Sequence, residues 1–424
     1  MNKYLIILLY IISFNFVGTN AQDSINIEYC LEKARIVHPL QANQQVINQI
    51  SNNNILNAKV GFLPQVELNG SATYQSDVVN IDLDMPIPGV EFPLAPKDQY
   101  KISFDVSQVI YDGGLSKKGQ SYEKAKQETD LAQLEVDIHN NLVQVMDIYF
   151  SILLLQENEK SLNITLDQLY ENNKIIDSGI KHGVALQTDA DLLLVEEINL
   201  EQKISELRNS REAKLKVLGQ LIGEHLDTSV YFERTNYNMP ENLNITRREK
   251  IVFDLRKSQI EQNKSILKSR KLPMIYGFGQ FGYGNPGLNM LNDKFDTYYL
   301  VGARLKWDIL DWNTNNRNRR NLELQQKLIE NSKRKFDQDI NSAILNQQAI
   351  VENHIANIDK FVKILALRSQ ISSKFKAQLN EGIIKTIDLV SAVNNERIAR
   401  IQLESEKILL QWAIAKYLDI KGDF

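Results

Sequence analysis

Two long stretches of the chain carry apolar residues at spacings of three and four, which is the spacing of one helix face. Proline, which costs about 3 kcal/mol inside a helix, is absent from residues 97–239 and 287–424. The pattern predicts two very long helices, at about 113–179 and 313–380, each followed by a second helix, at about 184–222 and 384–420. In the first long helix the apolar positions are Leu131, Leu134, Ile138, Leu142, Val145, Tyr149 and Ile152.

Four shorter segments alternate apolar and polar residues, as strands with one apolar face do. The alternation predicts strands at about 65–76, 99–110, 274–284 and 297–310. The third segment is rich in aromatic residues and glycine, and its alternation changes parity near Gln280. The pattern therefore does not define the register of this strand.

The predicted elements occur twice in the same order, which indicates an internal repeat. Leu63-Pro64 corresponds to Leu272-Pro273 at an offset of 209 residues, and later matches share an offset of 199. The matches at the second offset are Ile110-Tyr111-Asp112 with Ile309-Leu310-Asp311, Gly183 with Gly382, Asp189 with Asp388, and Gly223 with Gly422. Because the later offset is constant, we expect equal helix lengths in the two copies, at about 22–223 and 251–424, with residues 224–250 linking them.

The predicted strands are about 10 to 12 residues long, which is the length that crosses a bacterial outer membrane. Four strands cannot close a barrel, whereas three chains would supply twelve strands without an open edge. An alternative is an elongated periplasmic coiled-coil protein without a pore, in which the strands form soluble hairpins. Aromatic residues near the strand ends, such as Tyr74, Tyr100, Tyr299 and Trp307, favour the membrane interpretation.

Composition excludes several classes of protein. The single cysteine, Cys30, rules out an intrachain disulfide framework and a four-thiolate zinc site. The 49 basic and 53 acidic residues give a net charge of -4, which argues against a nucleic-acid-binding protein. Near the N-terminus, Lys3 followed by an apolar stretch and Thr19-Asn20-Ala21 predicts a signal peptide at residues 1–21.

Nothing in the sequence indicates an enzyme. Gly277, Gly279 and Gly282 match a dinucleotide-binding fingerprint, but they lie within a predicted strand and no helix follows them. Cys30 and the five scattered histidines lack partners for nucleophilic catalysis. We therefore expect no catalytic residues, no cofactor and no metal site.

The ordered motifs resemble those of the TolC family of outer membrane efflux proteins. They are the Leu-Pro pairs, the Ile110-Tyr-Asp-Gly-Gly114 opening of the first long helix, and the turns Gly183–Asp189 and Gly382–Asp388. The resemblance implies a mainly helical protein with a transmembrane β-barrel portion. Long antiparallel helical hairpins would form an α-barrel in the periplasm, and four strands per chain would complete a 12-stranded barrel in a homotrimer. Residues 224–250 would form the equatorial segment around the tunnel.

The resemblance also implies a function and partners. The protein would be the outer membrane duct of a tripartite efflux or type I secretion system, passively exporting substrates from periplasm to exterior. It would dock with a periplasmic adaptor and an inner-membrane transporter. The sequence does not identify the exported substrate.

The same resemblance assigns candidate sites. The residues that would meet the adaptor are Gly183, Val184, Ala185, Leu186, Gly382, Ile383, Ile384 and Lys385. Relatives carry two acidic residues three apart at the pore entrance; Asp388 fits the first position, but the second falls on Ser391. We expect three copies of Asp388 to form one acidic ring that favours cations, with Asp189 and Asp191 adding charge nearby. The alternative is that Asp388 simply stabilises a helix start.

Overall fold

A computed structural model describes residues 24–79, 95–183, 185–240, 244–290 and 292–423. The signal peptide expected at residues 1–21 lies outside these residues. The elements along the chain are β1 (Ser24–Ile25), α1 (Ile27–Val37), α2 (Asn43–Val60), β2 (Gln65–Tyr74), β3 (Asp98–Tyr111), α3 (Leu115–Lys181), α4 (Gln187–Ile222), β4 (Tyr231–Phe232), α5 (Arg248–Ser269), β5 (Met274–Asn285), β6 (Asp296–Lys306), α6 (Thr314–Asn380) and α7 (Thr386–Lys421).

The two long helix pairs have the equal lengths that the constant offset predicts. Helices α3 and α6 each contain 67 residues, and α4 and α7 each contain 36. Helices α3 and α4 each begin and end 199 residues before their counterparts α6 and α7, as Leu115 does before Thr314. The insertion that changes the offset therefore lies outside the helices.

The long helices begin with the same carboxylate cap in both copies. Asp112 accepts hydrogen bonds from the backbone N–H groups of Gly114 (2.7 Å) and Ser116 (2.6 Å). Asp311 accepts equivalent bonds from Asn313 (2.9 Å) and Asn315 (3.1 Å). A side-chain acceptor satisfies N–H groups that have no partner within the helix, which defines the start of each long helix.

The four predicted strands form one antiparallel sheet in the order β2-β3-β5-β6. Pairing runs without a break through Gln280, which lies between Asp105 on β3 and Leu300 on β6. The change of parity in the sequence pattern therefore does not mark an irregularity of this strand. The irregularity lies on β3, between Val109 and Tyr111. It places Tyr111 opposite Ile275 and keeps both side chains on one face.

Strand β6 ends at Lys306, four residues before the predicted end at about residue 310. Lys306 pairs with Met274, the first residue of β5. Pro273, which has no backbone N–H, precedes Met274, so residues beyond Lys306 have no strand to pair with.

Alternation along the paired strands gives the sheet one apolar and one polar face. Large apolar side chains of the first face remain exposed on all four strands. They are Val66, Leu68, Tyr74, Tyr100, Ile102, Phe104, Val106, Phe281, Tyr283, Tyr299, Val301 and Leu305. The opposite face carries charged residues, including Glu67, Asp105 and Arg304.

The described residues fall into two compact units. One contains 24–41, 138–246 and 340–423, and the other contains 42–137 and 247–339. Each unit therefore takes corresponding parts of both sequence copies. The sheet belongs to the second unit. Helices α4 and α7 belong to the first unit, together with the parts of α3 and α6 that connect to them.

The first unit is organised around buried aromatic residues of α3. Tyr149 and Phe150 pack with Phe232 of β4, which pairs in parallel with β1 through Ile25. The expected equatorial segment, residues 224–250, thus contains β4 and the first residues of α5. Among the helices that the structure describes, α3 alone is long and apolar enough by composition to cross a membrane. Residues of α3 between Leu142 and Leu154 contribute to this core.

Candidate functional site

The two helical hairpins of the first unit turn through matching short segments. We call residues 182–186, between α3 and α4, the first tip, and residues 381–385, between α6 and α7, the second tip. Val184, one of the predicted docking residues, lies outside the described residues. The predicted docking segments therefore coincide with the tips.

Each tip turns on a glycine in the left-handed conformation. Gly183 has φ 77° and Gly382 has φ 72°, and among the described residues, apart from each glycine's chain neighbours, no atom lies within 4 Å of where a Cβ would be. Their N–H groups donate to Ile180 O (3.0 Å) and Leu379 O (2.9 Å), closing the preceding helices. Backbone conformation, and not crowding, therefore accounts for glycine at both positions.

The predicted pore residues Asp189 and Asp388 cap the helices that follow the tips. The Asp189 carboxylate accepts the N–H of Leu186 (3.0 Å), and the Asp388 carboxylate accepts the N–H of Lys385 (3.1 Å). In return, the aspartate N–H groups donate to the carbonyl oxygens of Leu186 and Lys385, both at 3.0 Å. An acidic residue in the first helical turn also interacts favourably with the helix dipole.

The two tips line one cleft within the first unit. Of the predicted residues, it brings together Gly183, Ala185, Leu186, Asp189, Gly382, Ile384 and Lys385. Ile383 lies outside the lining and is 64 % exposed, and Leu186 is 69 % exposed. An apolar residue thus projects from each tip, and the cleft between them has both apolar and charged walls.

The remaining pore candidates do not line this cleft. Asp388 and Ser391 are exposed on α7, and neither lines the cleft. Asp191 is exposed on α4 and accepts a hydrogen bond from the Gln187 side chain at 3.3 Å. One chain therefore does not assemble these groups, and an acidic ring requires further copies.

Apolar packing holds the two hairpins together next to the tips. Leu193 of α4 and Leu389 of α7 are buried in one cluster with residues of α3. Its buried members are Leu162, Leu169, Ile176, Ala190, Leu193, Leu200, Ile204, Leu389, Val390 and Val393. The tips are thus fixed relative to each other by a core that begins within the first turns of α4 and α7.

Two buried carboxylates in this region were not predicted from the sequence. Glu197 accepts a hydrogen bond from Asn173 (3.2 Å), and burial raises the pKa of Glu197 despite this donor. Glu396, its equivalent at the offset of 199, pairs with Arg400 at 2.8 Å. The repeat offset is the signal that could have identified the pair, since each glutamate alone looks like an ordinary helix-surface residue.

Two of the scattered histidines have acidic partners. His139 Nε2 lies 2.7 Å from Asp419 Oδ1, and His354 Nδ1 lies 2.5 Å from Glu406 Oε2. These contacts join α7 to α3 and to α6. Among the described residues, no group of three or more histidine, cysteine or acidic side chains is arranged to hold a metal ion.

Comparison with known proteins agrees with this architecture. Residues 38–224 match the family model described as Outer membrane efflux protein. No curated protein matches the chain in sequence. Among solved structures, VceC from Vibrio cholerae is 13 % identical with a TM-score of 0.67, over 92 % of this chain and 95 % of that chain.

Two other outer membrane channels are similar to the same degree. CmeC from Campylobacter jejuni is 14 % identical with a TM-score of 0.67, covering 94 % of this chain and 85 % of its own. MtrE from Neisseria gonorrhoeae, solved in its open state, is 14 % identical with a TM-score of 0.65, covering 94 % and 89 %. The resemblance to the TolC family is thereby confirmed. Residues 38–224 thus match the outer membrane efflux protein family model, and along nearly its whole length the chain has the fold of these channels.

Proposed function

We propose that this protein is the outer membrane duct of a tripartite efflux or type I secretion system and passes substrates passively from periplasm to exterior. The observation that carries the proposal is the four-stranded sheet, whose apolar face is exposed on every strand. A polar and charged opposite face suits the wall of a water-filled pore. In this arrangement the sheet lies in the outer membrane and the helical hairpins lie in the periplasm, after export directed by residues 1–21.

The duct is a homotrimer. Strands β2 and β6 are the two ends of the sheet, and an open edge in lipid leaves backbone groups unpaired at several kcal/mol each. Three sheets joined edge to edge give twelve strands and no free edge. Helix α6 supports self-association, because large apolar side chains are exposed along it. They include Leu328, Leu345, Val362 and Leu367.

The tips are the docking surface for the periplasmic adaptor, which connects the duct to an inner-membrane transporter that supplies the energy. Exposed Leu186 and Ile383 provide apolar contacts, and Lys385 provides a charge. Small glycine turns let partner helices approach closely. The proposed docking set is the one predicted from the sequence, including Val184.

The location and oligomeric state are tested by membrane fractionation. We expect the protein in outer membranes as trimers that resist SDS and dissociate on heating. Release in the soluble periplasmic fraction would refute the duct and favour the pore-free coiled-coil protein.

The acidic ring is tested by single-channel recording of Asp388→Asn. Asparagine retains an oxygen that can accept the N–H of Lys385, so the change removes charge while keeping the cap. We expect cation preference to fall. Asp189→Asn, which alters the equivalent cap, is the matched control and should have a smaller effect. Unchanged selectivity in Asp388→Asn would leave capping as the role of this residue.

A further inference from the structure

The two edge strands of the sheet carry opposite charges on its polar face. Edge strand β2 presents Glu67, and edge strand β6 presents Arg304 and Lys306. All three side chains are exposed. Within the part of one chain that the structure describes, neither Glu67 nor Arg304 takes part in an ion pair.

Glu67 lacks charge compensation from its own sheet. It lies directly opposite Asp105 on β3, and like charges in this position destabilise a strand pair. Asp105 is stabilised by Asn69 (2.5 Å) and Ser103 (3.2 Å), both donating to its Oδ2. Among the described residues no such donor contacts Glu67, and its strand, β2, is unpaired along one side. A cation on a neighbouring strand would therefore favour this arrangement.

Arg304 is the counterpart on the opposite edge. Its guanidinium lies over the ring of Phe278, 5.4 Å from the ring centre. Phe278 in turn covers Gly302, the residue with which it pairs across β5 and β6. Arg304 is thus supported from beneath by an aromatic ring, and it is exposed on the edge strand β6.

Barrel geometry limits how the edges of two copies can meet. Within one chain, Gln65 and Gly302 lie on one line across the sheet, perpendicular to the strands, through the pairs Gln65–Ser107, Ser107–Phe278 and Phe278–Gly302. The shift at a seam is counted in residues from this line. Strands about 4.8 Å apart and tilted about 35–45° shift by about 13–19 Å across four strands, or about four to six residues. Only an even shift keeps the polar faces together, because a one-residue slip reverses every side chain.

The length of β6 selects between these shifts. A shift of about four residues places all of β2, Gln65–Tyr74, opposite residues 306–297, within Asp296–Lys306. A shift of about six carries the start of β2 beyond Lys306, and a shift in the opposite direction leaves few residues of β2 paired. The register with full pairing sets Glu67 opposite Arg304 and Gln65 opposite Lys306.

We propose that Glu67 of one copy forms an ion pair with Arg304 of the next at each seam of the barrel, fixing the register in which three copies close. The inference rests on the trimer of the proposed function. In this arrangement each edge of the sheet pairs with a second copy of this chain, β2 of one copy with β6 of the next. Charge complementarity then disfavours pairing of like edges, β2 with β2 or β6 with β6.

Cysteine cross-linking tests the register. Glu67→Cys combined with Arg304→Cys should form covalent oligomers in outer membranes under mild oxidation, visible on non-reducing gels after boiling. Two matched controls represent the other registers. Glu67→Cys with Leu300→Cys would link if the seam had no shift, and Glu67→Cys with Lys306→Cys would link if the shift were six residues. Burial raises the pKa of the native Cys30 thiol to about 12, so it competes poorly. Stronger linkage in either control pair would overturn the assignment.

Charge reversal tests the ion pair itself. Glu67→Arg and Arg304→Glu should each lower the temperature at which SDS-resistant trimers dissociate, and the double exchange should restore it. Glu67→Gln, which is less disruptive to insertion, should lower it by less than the reversal. Equal loss in the double exchange and the single reversals would overturn the ion pair. If the unmodified protein forms no trimers, the proposed function fails; if trimers form but link elsewhere, only the register fails.

Discussion

Two glycines inside helices allow a test in which helix propensity and packing predict opposite results. Gly219 lies in the last turn of α4, where its carbonyl accepts the N–H groups of Gly223 and Glu224 (2.9 Å) as the chain reverses direction. A Cβ at Gly219 would lie 2.5 Å from the carbonyl oxygen of Glu224. Gly119 lies in α3, where a Cβ would meet the Ala58 side chain at 3.8 Å, the one contact within 4 Å that the described residues outside its own helix make.

The expected effects of alanine follow from these distances. Alanine in a helix is favoured over glycine by about 0.5–1 kcal/mol. At Gly119 an ordinary van der Waals contact adds no cost, so Gly119→Ala should stabilise the protein by about that amount. At Gly219 the backbone itself must move, and overpacking costs about 1–3 kcal/mol. Gly219→Ala should therefore destabilise the protein by about 1–2 kcal/mol after the propensity gain is subtracted.

Urea unfolding in detergent, followed by circular dichroism at 222 nm, compares the two variants with the unmodified protein. Hydrogen exchange of peptides covering residues 215–230 would locate the loss next to the turn. A neutral Gly219→Ala variant, or one as stable as Gly119→Ala, would refute this expectation. The helix propensity of alanine would then offset the close contact with the Glu224 carbonyl oxygen.

Two further substitutions probe buried polar groups of the first unit. The Tyr149 hydroxyl donates to the carbonyl of Glu233 at 2.7 Å, so Tyr149→Phe should cost about 1–2 kcal/mol in thermal unfolding. Tyr170→Phe, which removes an exposed hydroxyl, should change little, and equal effects would contradict this account. Burial raises the pKa of Glu197, so the folded state binds more protons than the unfolded state between the two pKa values. Stability should fall as pH rises through that interval, and Glu197→Gln should be more stable than the unmodified protein at neutral pH but not in acid. A loss at neutral pH would contradict the sign.

The helices could be predicted closely because their signals are local and repeated. Each long helix has a seam of apolar residues, and matched glycines, Gly223 and Gly422, end the fourth and last helices in the left-handed conformation. A constant offset between such markers requires equal lengths in both copies. The loops, whose length differs between copies, carry no comparable periodic signal.

The register of β5 could not be obtained in this way because apolar residues occupy both of its faces. Tyr276 and Phe278 lie on the polar face of the sheet, while Ile275 and Phe281 lie on the other. The Phe278 ring covers Gly302 and the Tyr298 ring covers Gly282, so aromatic residues on the pore side pack over cross-strand glycines. That pairing links residues far apart in sequence, and simple alternation does not reveal it.

The positions of the two turns could be predicted from the sequence, but the hydrogen bonds around them could not. The sequence located both tips, since glycine and aspartate recur there at one offset. A helix-start role was an alternative for Asp388 alone. The sequence did not indicate the reciprocal backbone bonds of Asp189 and Asp388, because the N-cap positions hold Leu186 and Lys385, which lack the side-chain acceptor of a typical capping sequence. Capping accounts for these aspartates whether or not a pore exists. Substitution by asparagine is therefore needed, because it removes the charge and retains an oxygen that can cap the helix.

The two tips also show what duplication leaves free to vary. Their backbones match in glycine conformation, cap and helix length, yet the side chains that project differ: Ala185 and Leu186 correspond to Ile384 and Lys385. In the proposed trimer, six tips of the same shape would therefore present two chemistries. A partner that recognised shape alone would treat them alike, whereas one that contacts side chains must distinguish them. Unchanged adaptor binding when each tip sequence is replaced by the other would indicate recognition of shape, whereas a loss in either direction would indicate that the adaptor distinguishes the side chains.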